Sequence, residues 1–249
     1  MKLRRIHIAP EDIDDDYVRL TADHRNYLER VLRLSAGNRI IVCDGSSEHV
    51  AVLIRDRQKK LAARIKNTTE RNPSDLPRIV LGFGCVRPGP LEEILRHGTE
   101  LGATVFVPLI TARVVRRPES KKDRWDGITA SAAQQCGRVD LPEVYPPTTL
   151  HGFIAERSED ELKIACTQHG HPPSTSVLRP ACSAVVAVGP EGGLEEAEEK
   201  LLLSAGFLPV SLGPWTLRTE TAAILAAGLL SALADTSRNE HEERADEHL

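Results

Sequence analysis

Two loops near the C-terminal end constrain the fold of this chain more than any other feature. The first reads Val188-Gly189-Pro190-Glu191-Gly192-Gly193, and the second runs Leu212-Gly213-Pro214-Trp215-Thr216-Leu217-Arg218-Thr219-Glu220-Thr221-Ala222. Each follows an apolar run (residues 184–188 and 209–212) and each leads into a helical pattern. Two strand–loop–helix turns separated by one short helix imply neighbouring parallel strands whose C-terminal ends form a ligand crevice. Glycine lets backbone approach a ligand closely, and proline stiffens the turn around it.

The rest of the chain fits around those turns. From residue 78 the pattern alternates: strands at 79–83, 105–109, 162–166, 184–188 and 210–212, helices at 91–101, 124–136, 194–205 and 220–234. Such alternation makes a mostly parallel α/β sheet. Residues 1–66 instead read as strands (4–9, 39–43, 49–54, 61–65) with one amphipathic helix over 23–34, capped by Asp23 and followed by Gly37. Asp44-Gly45-Ser46-Ser47 has the composition of a hairpin turn, so a small β-barrel is expected. Residues 67–77 (NTTERNPSDLP) make the best linker. Domains over 1–72 and 73–236 follow, with a charged, disordered tail over 237–249.

Charge is divided along the chain. Residues 1–72 hold fifteen Lys and Arg against eleven Asp and Glu; residues 78–138 hold ten against six; residues 139–249 hold seven against eighteen. A nucleic acid is therefore expected to meet the first two-thirds of the chain. Candidate phosphate contacts are Arg4, Arg5, Arg30, Arg33, Arg113, Arg116, Arg117 and Arg138, with Arg30 and Arg33 three apart on one helix. No apolar run reaches the roughly 20 residues of a membrane span, and Met1-Lys2-Leu3-Arg4-Arg5 lacks the apolar core of a signal peptide. Five scattered cysteines without Cys-x-x-Cys suit reduced thiols in a cytoplasmic protein.

The loops carry the chemistry. The glycine loop after residue 188 has no lysine, so it is no P-loop, and Glu191, Glu195 and Glu196 would repel a phosphate. A ligand with positive charge fits better. In the second loop Arg218 and Glu220 bracket Thr219. They form either a structural pair beside a helix cap, or a cation that stabilises a developing anion next to a proton acceptor. Cys166, His169 and His171 lie together but lack a fourth ligand at a suitable spacing, so no metal site is expected.

The motifs form an ordered set: Arg30-Val31-Leu32-Arg33, Asp44-Gly45, Glu100-Leu101-Gly102, Pro108-Leu109 with Arg113, Gln134-Gln135-Cys136-Gly137-Arg138, and the two glycine loops. Spanning residues 4–234, this set resembles the ribosomal RNA small subunit methyltransferase E family, of the SPOUT class. The resemblance implies a PUA-like β-barrel followed by a SPOUT-type parallel sheet with a C-terminal trefoil knot. It also implies methylation of N3 of a uridine in 16S rRNA, with S-adenosylmethionine as donor.

Carried onto this sequence, the resemblance puts Thr167, Gly189, Glu191, Gly192, Leu212, Gly213, Leu217 and Thr219 at the donor, with residues 166–170 as the first of three loops around its adenine. Arg218 would stabilise the uracil anion and Glu220 would take its proton. With an rRNA substrate, the phosphate contacts expected from the charge distribution are Arg4, Arg5, Arg30, Arg33, Arg113 and Arg138. A homodimer through residues 221–234 would use small residues such as Ala222, Ala223, Ala226, Ala227 and Gly228 for close approach. Pro90, His97 and Trp215 stand where relatives tend to carry a basic residue. Two rivals share these features: a SPOUT enzyme that methylates ribose 2′-OH, and a non-catalytic RNA-binding or ribosome-assembly protein with a vestigial donor site.

Overall fold

The computed structural model describes residues 3–70, 77–84, 87–114, 122–157, 161–173 and 183–246, with side chains as far as Leu233. Arg116, Arg117, Cys85 and Cys182 lie outside the described residues. Two compact units emerge: Met1–Asp75 together with Ala133–Leu141, and Leu76–Ala132 together with Pro142–Leu249.

The first unit is built on β1 (Arg4–His7), β2 (Ile13–Asp14), β3 (Tyr17–Val18), β4 (Arg39–Cys43), β5 (Ser47–Arg55) and β6 (Leu61–Glu70), in the order β1-β4-β5-β6-β3-β2. Only β1 and β4 are parallel. β5 alternates buried with half-buried positions from Ser47 to Ile54, the period-2 signature of a sheet with one face on a core. That core gathers Ile6, Val18, Leu28, Ile40, Val42, Leu53 and Leu61. The β4–β5 turn is tied by Asp44, whose Oδ1 accepts from the amides of Ser46 and Ser47 at 2.9 and 2.7 Å, while Gly45 takes φ +97°.

Several expectations for this unit need correction. The helix is short: α1 (Ala22–Asn26) runs into a π-helical turn over Tyr27–Val31, closed by the Leu32 amide on the Tyr27 carbonyl at 2.9 Å. Thr21, not Asp23, caps it by accepting from the His24 amide at 3.2 Å. Arg33 lies beyond the helix at φ +55°, so Arg30 and Arg33 do not share a helical face. β6 continues to Glu70, through the first residues of the expected linker, because Thr69 and Thr68 pair with Glu48 and His49 of β5.

In the second unit β7 (Arg78–Gly84), β8 (Val105–Ile110), β9 (Glu143–Val144), β10 (Thr148–Thr149), β11 (Leu162–His171), β12 (Ser183–Val188) and β13 (Leu208–Val210) form one parallel sheet. Its order is β10-β8-β7-β12-β11-β13, with β9 also on β8. The helices are α2 (Pro88–Glu100), α3 (Lys122–Cys136), α4 (Leu150–Ala155), α5 (Glu196–Ser204) and α6 (Thr219–Asp246). The last residues of α3 belong to the first unit. β7 and β12 are buried on both faces, as parallel strands covered by helices must be. Ile79, Leu81, Phe83, Val186 and Val188 meet residues of α2 and α6, whereas Val80, Val185 and Ala187 meet Leu150, Phe153 and Leu202 of α4 and α5.

α6 departs from expectation twice. It stays helical through Asp246, where a disordered tail was expected; no Gly or Pro interrupts residues 229–249, and Glu, Arg and Ala favour a helix. Its small residues also serve its own protomer. Ala222, Ala223, Ala226 and Ala227 are buried, letting α6 sit close to β7, β12 and α2, so they are not free for a dimer. Among the described residues no helix is long and apolar enough to cross a membrane.

Candidate functional site

The parallel strands deliver three loops to one end of the sheet. A cavity of about 510 Å³ lies there, lined by residues that follow β12 and β13 and by the far half of β11. All eight positions expected at the donor (Thr167, Gly189, Glu191, Gly192, Leu212, Gly213, Leu217 and Thr219) line it. The expected first loop lies within β11, which runs on through Thr167 to His171 but breaks its register: Cys166 and His171 both pair with Val210 of β13, so Thr167, Gln168, His169 and Gly170 bulge from the ladder between them. Gly170 permits that pairing, since a Cβ there would come within 2.5 Å of the Pro209 and Val210 backbone.

The first glycine loop is a tight turn closed by the Gly193 amide on the Pro190 carbonyl at 2.8 Å, with Gly193 at φ +73°. It does not open directly into a helix. Glu195 and Glu198 form a reciprocal capping box, so α5 starts only at Glu196, and Glu195 is occupied as a cap. Arg113, expected to meet RNA, braces this loop by donating from Nη1 to the Gly192 carbonyl at 2.9 Å, with half of its side chain exposed. Glu198 accepts the Ala112 amide at 2.8 Å, a second tie to the same segment.

The second loop is joined to the first by Thr219, whose hydroxyl donates to the Gly189 carbonyl at 3.0 Å. The Gln168 amide donates to the Thr216 hydroxyl at 2.8 Å, fastening β11 to the same loop. Leu212, expected to end a strand, lies after β13 and packs its side chain on the core beneath the cavity. Gly213 has φ +148° with open space where a Cβ would be. The structure separates Arg218 from Glu220 in environment. Neither lines the cavity: Arg218 is 84% exposed and the Glu220 side chain 11% exposed, with their head groups 4.0 Å apart. Glu220 Oε2 is buried and has no hydrogen-bond partner among the described residues.

Sequence reasoning missed Gly84. Gly84 ends β7 directly beneath the first loop; a Cβ there would reach the Pro190 Cα at 2.6 Å. Desolvation pushes the Cys166 thiol up to about 12, which suits an inert side chain better than a metal ligand. No group of three or more His, Cys, Asp or Glu that could hold a metal ion occurs among the described residues. Trp215, on the cavity rim, is 80% exposed. His97 pairs with Glu100 within α2, and Pro90 sits in that helix's first turn.

Of the remaining arginines, Arg4, Arg30 and Arg33 are exposed on the first unit. Arg5 and Arg138 are not. Arg5 pairs with Glu48 at 2.6 Å and Arg138 with Asp140, with 14% and 11% of their side chains exposed. Gly137, at φ +96°, leaves room for the Arg5 guanidinium, and His7 Nε2 lies 3.0 Å from the Arg138 carbonyl. Arg5 and His7 thus meet residues 133–141 from the β-sheet, Arg138 is held within that segment by Asp140, and neither Arg5 nor Arg138 is left open to phosphate, a correction to the expected RNA contacts.

Comparison with known proteins agrees with this arrangement. The family model of an RNA methyltransferase domain matches residues 72–231. A ribosomal RNA small subunit methyltransferase E from Synechocystis is 36% identical over 93% of this chain and 78% of its own length. The protein of that name from Bacillus subtilis is 30% identical over 89% of this chain and 92% of its own. The crystal structure of a ribosomal RNA small subunit methyltransferase E from Neisseria gonorrhoeae, bound to S-adenosylmethionine, superposes with TM-score 0.82 at 27% identity, covering 93% of this chain and 98% of that one. By its sequence along nearly its whole length, by its matched domain and by its fold, the chain belongs to the ribosomal RNA small subunit methyltransferase E family.

Proposed function

We propose that the chain transfers the methyl group of S-adenosylmethionine to N3 of a uridine in 16S rRNA. The observation that carries this reading is the cavity where β11, β12 and β13 end, walled by both glycine loops and lined by all eight expected donor residues. Its chemistry fits that donor. Leu212 and Leu217 offer apolar surface, Glu191 and Glu199 offer negative charge, and Arg113, the one lining arginine among the described residues, is already engaged by the Gly192 carbonyl. When bound, the donor supplies an electrophilic methyl on a sulfonium.

The protein's own part is to take the N3 proton and to stabilise the anion left on the uracil, whose N3 electron pair attacks the methyl. Uridine N3–H is a weak acid, so the base must be ionised as the methyl arrives. Glu220, with its buried and unpartnered Oε2, is the acceptor for that proton, and the exposed Arg218 beside it is free to turn onto the uracil anion. In the same reading the first unit is a PUA-like barrel that presents RNA in the cytoplasm, and β11–β13 with their loops form the trefoil knot. α6 dimerises through its outer side, where Leu225 is exposed and Ile224 and Leu229 are half-buried.

Comparison of rRNA from a deletion strain with that from the complemented strain tests the assignment. N3 methylation blocks the pairing edge, so reverse transcriptase should stop at one 16S uridine only where the protein is present. A lost 2′-O-methyl instead, found by mass spectrometry of the nucleosides, would favour the ribose reading. No change in any modification would favour the non-catalytic one.

A further inference from the structure

The first unit carries a second concavity, of about 720 Å³, between residues 17–21 with α1 on one side and the β5–β6 hairpin on the other. Six cations line it: Arg19, Arg25, Arg55, Arg57, Lys60 and Arg64. The one carboxylate in the lining, Asp56, turns its Oδ1 to the amides of Gln58 and Lys60 at 2.8 and 2.7 Å. Three of the cations have carboxylate neighbours outside the groove: Arg19 with Asp12 at 3.8 Å, Arg55 with Glu29 at 2.8 Å and Arg64 with Asp16 at 3.4 Å. Exposed pairs of this kind contribute little and exchange readily for another anion. Arg25 donates to the Leu20 carbonyl, and neither Arg57 nor Lys60 has a carboxylate partner among the described residues.

These residues belong to none of the recurring motifs, and they are far apart in sequence. The pairing of β3 with β6, which sets Tyr17 opposite Arg64, brings the two walls together. Five of the six cations are arginines, whose planar fork matches a phosphodiester better than a point charge does. Tyr17 adds an aromatic ring to the same lining, a surface on which a base can stack and which an acidic peptide would not need.

We propose that this groove grips the phosphate backbone of an RNA strand, with Tyr17 against a base. It, rather than the surface around Arg30 and Arg33, supplies most of the first unit's RNA affinity. The inference rests on the reading that the substrate is RNA.

Arg57→Glu with Lys60→Glu tests it, because reversing these two breaks no ion pair to a described residue. The full chain, this double variant and Arg30→Glu with Arg33→Glu are titrated against a labelled oligouridine and a 16S rRNA transcript, by anisotropy between about 50 and 200 mM salt. Donor affinity by calorimetry and a thermal melt are measured on the same samples. The groove variant should bind RNA roughly tenfold more weakly or worse. Its log–log salt slope should be shallower by about 1.4, at about 0.7 for each lost single-strand phosphate contact. Donor affinity and melting should be unchanged, and the Arg30/Arg33 variant should lose less.

If the groove variant melts lower, Arg57→Ala with Lys60→Ala is read in its place, with a smaller loss of the same kind expected. Wild-type RNA affinity in the groove variant overturns the proposal, as does polyglutamate of matched charge competing as well as oligouridine. Those results leave methylation by the wild type intact. A wild-type protein that binds neither RNA would overturn the substrate reading, and the groove with it.

Discussion

At Gly84 the second unit has no room for a methyl group. The end of β7 lies against Pro190, so the first glycine loop rests on bare backbone. Gly84→Ala should push that loop into the cavity and weaken S-adenosylmethionine binding by about tenfold, equivalent to about 1.4 kcal/mol; calorimetry on a variant that still melts cooperatively checks it. Arg218→Lys should lower single-turnover methylation by about ten- to a hundredfold with donor affinity unchanged, because a point charge replaces a planar fork. The wild-type rate should also rise with pH while loss of the N3 proton limits it. A flat pH–rate profile together with a wild-type rate in the variant would remove Arg218 from the chemistry. Trp215 is suited to stack on RNA at the cavity rim. Trp215→Ala should raise KM for RNA severalfold while leaving donor affinity alone, and RNA should quench wild-type fluorescence but not that of the variant, whose remaining Trp125 is 5% exposed.

Among the elements, the β4–β5 hairpin depends on one carboxylate. Burial alone would raise the Asp44 pKa, but hydrogen bonds from His49, Ser46 and Ser47 outweigh it and hold the group at about 2, below its ordinary 3.8. The stabilisation this brings is complete above the ordinary value and is lost as pH falls toward about 2. Asp44→Asn should therefore cost about 1–3 kcal/mol at neutral pH, and the gap between variant and wild type in urea melts should close between about pH 4 and pH 2. A gap independent of pH would separate the hairpin's stability from that charge. Asp44-Gly45 was legible as a turn because its composition is local. β11 was not legible past Cys166, because Thr167, Gln168, His169 and Gly170 are polar or lack a side chain, and the ladder resumes only where His171 returns to Val210 of β13, remote in sequence. The glycine loops were legible for the opposite reason, since their φ values and close approaches need glycine whatever surrounds them. Arg5 looked like surface charge because its partner Glu48 is remote in sequence, whereas Arg138 has Asp140 two residues on and was misread because nothing local announces that the segment folds onto the sheet.

For the whole molecule, strand–helix alternation made the parallel sheet readable, while assembly depends on what α6 leaves uncovered. If its outer side is a dimer surface, light scattering at micromolar concentration should give twice the protomer mass, and Leu225→Glu should halve it without lowering the monomer's helical content. An active wild-type monomer would end the dimer reading. The division of the chain carries a consequence for its birth. The first unit is not complete until Ala133–Leu141 joins it. A chain emerging from the ribosome at about 5–20 residues per second has by then already released β7, α2 and β8. The N-terminal sheet therefore waits, with His7 lacking the Arg138 carbonyl, while the start of the next unit is already in solution. A nascent chain halted just after Asp75 should be digested by protease, and one halted far enough beyond Leu141 to clear the exit tunnel should resist.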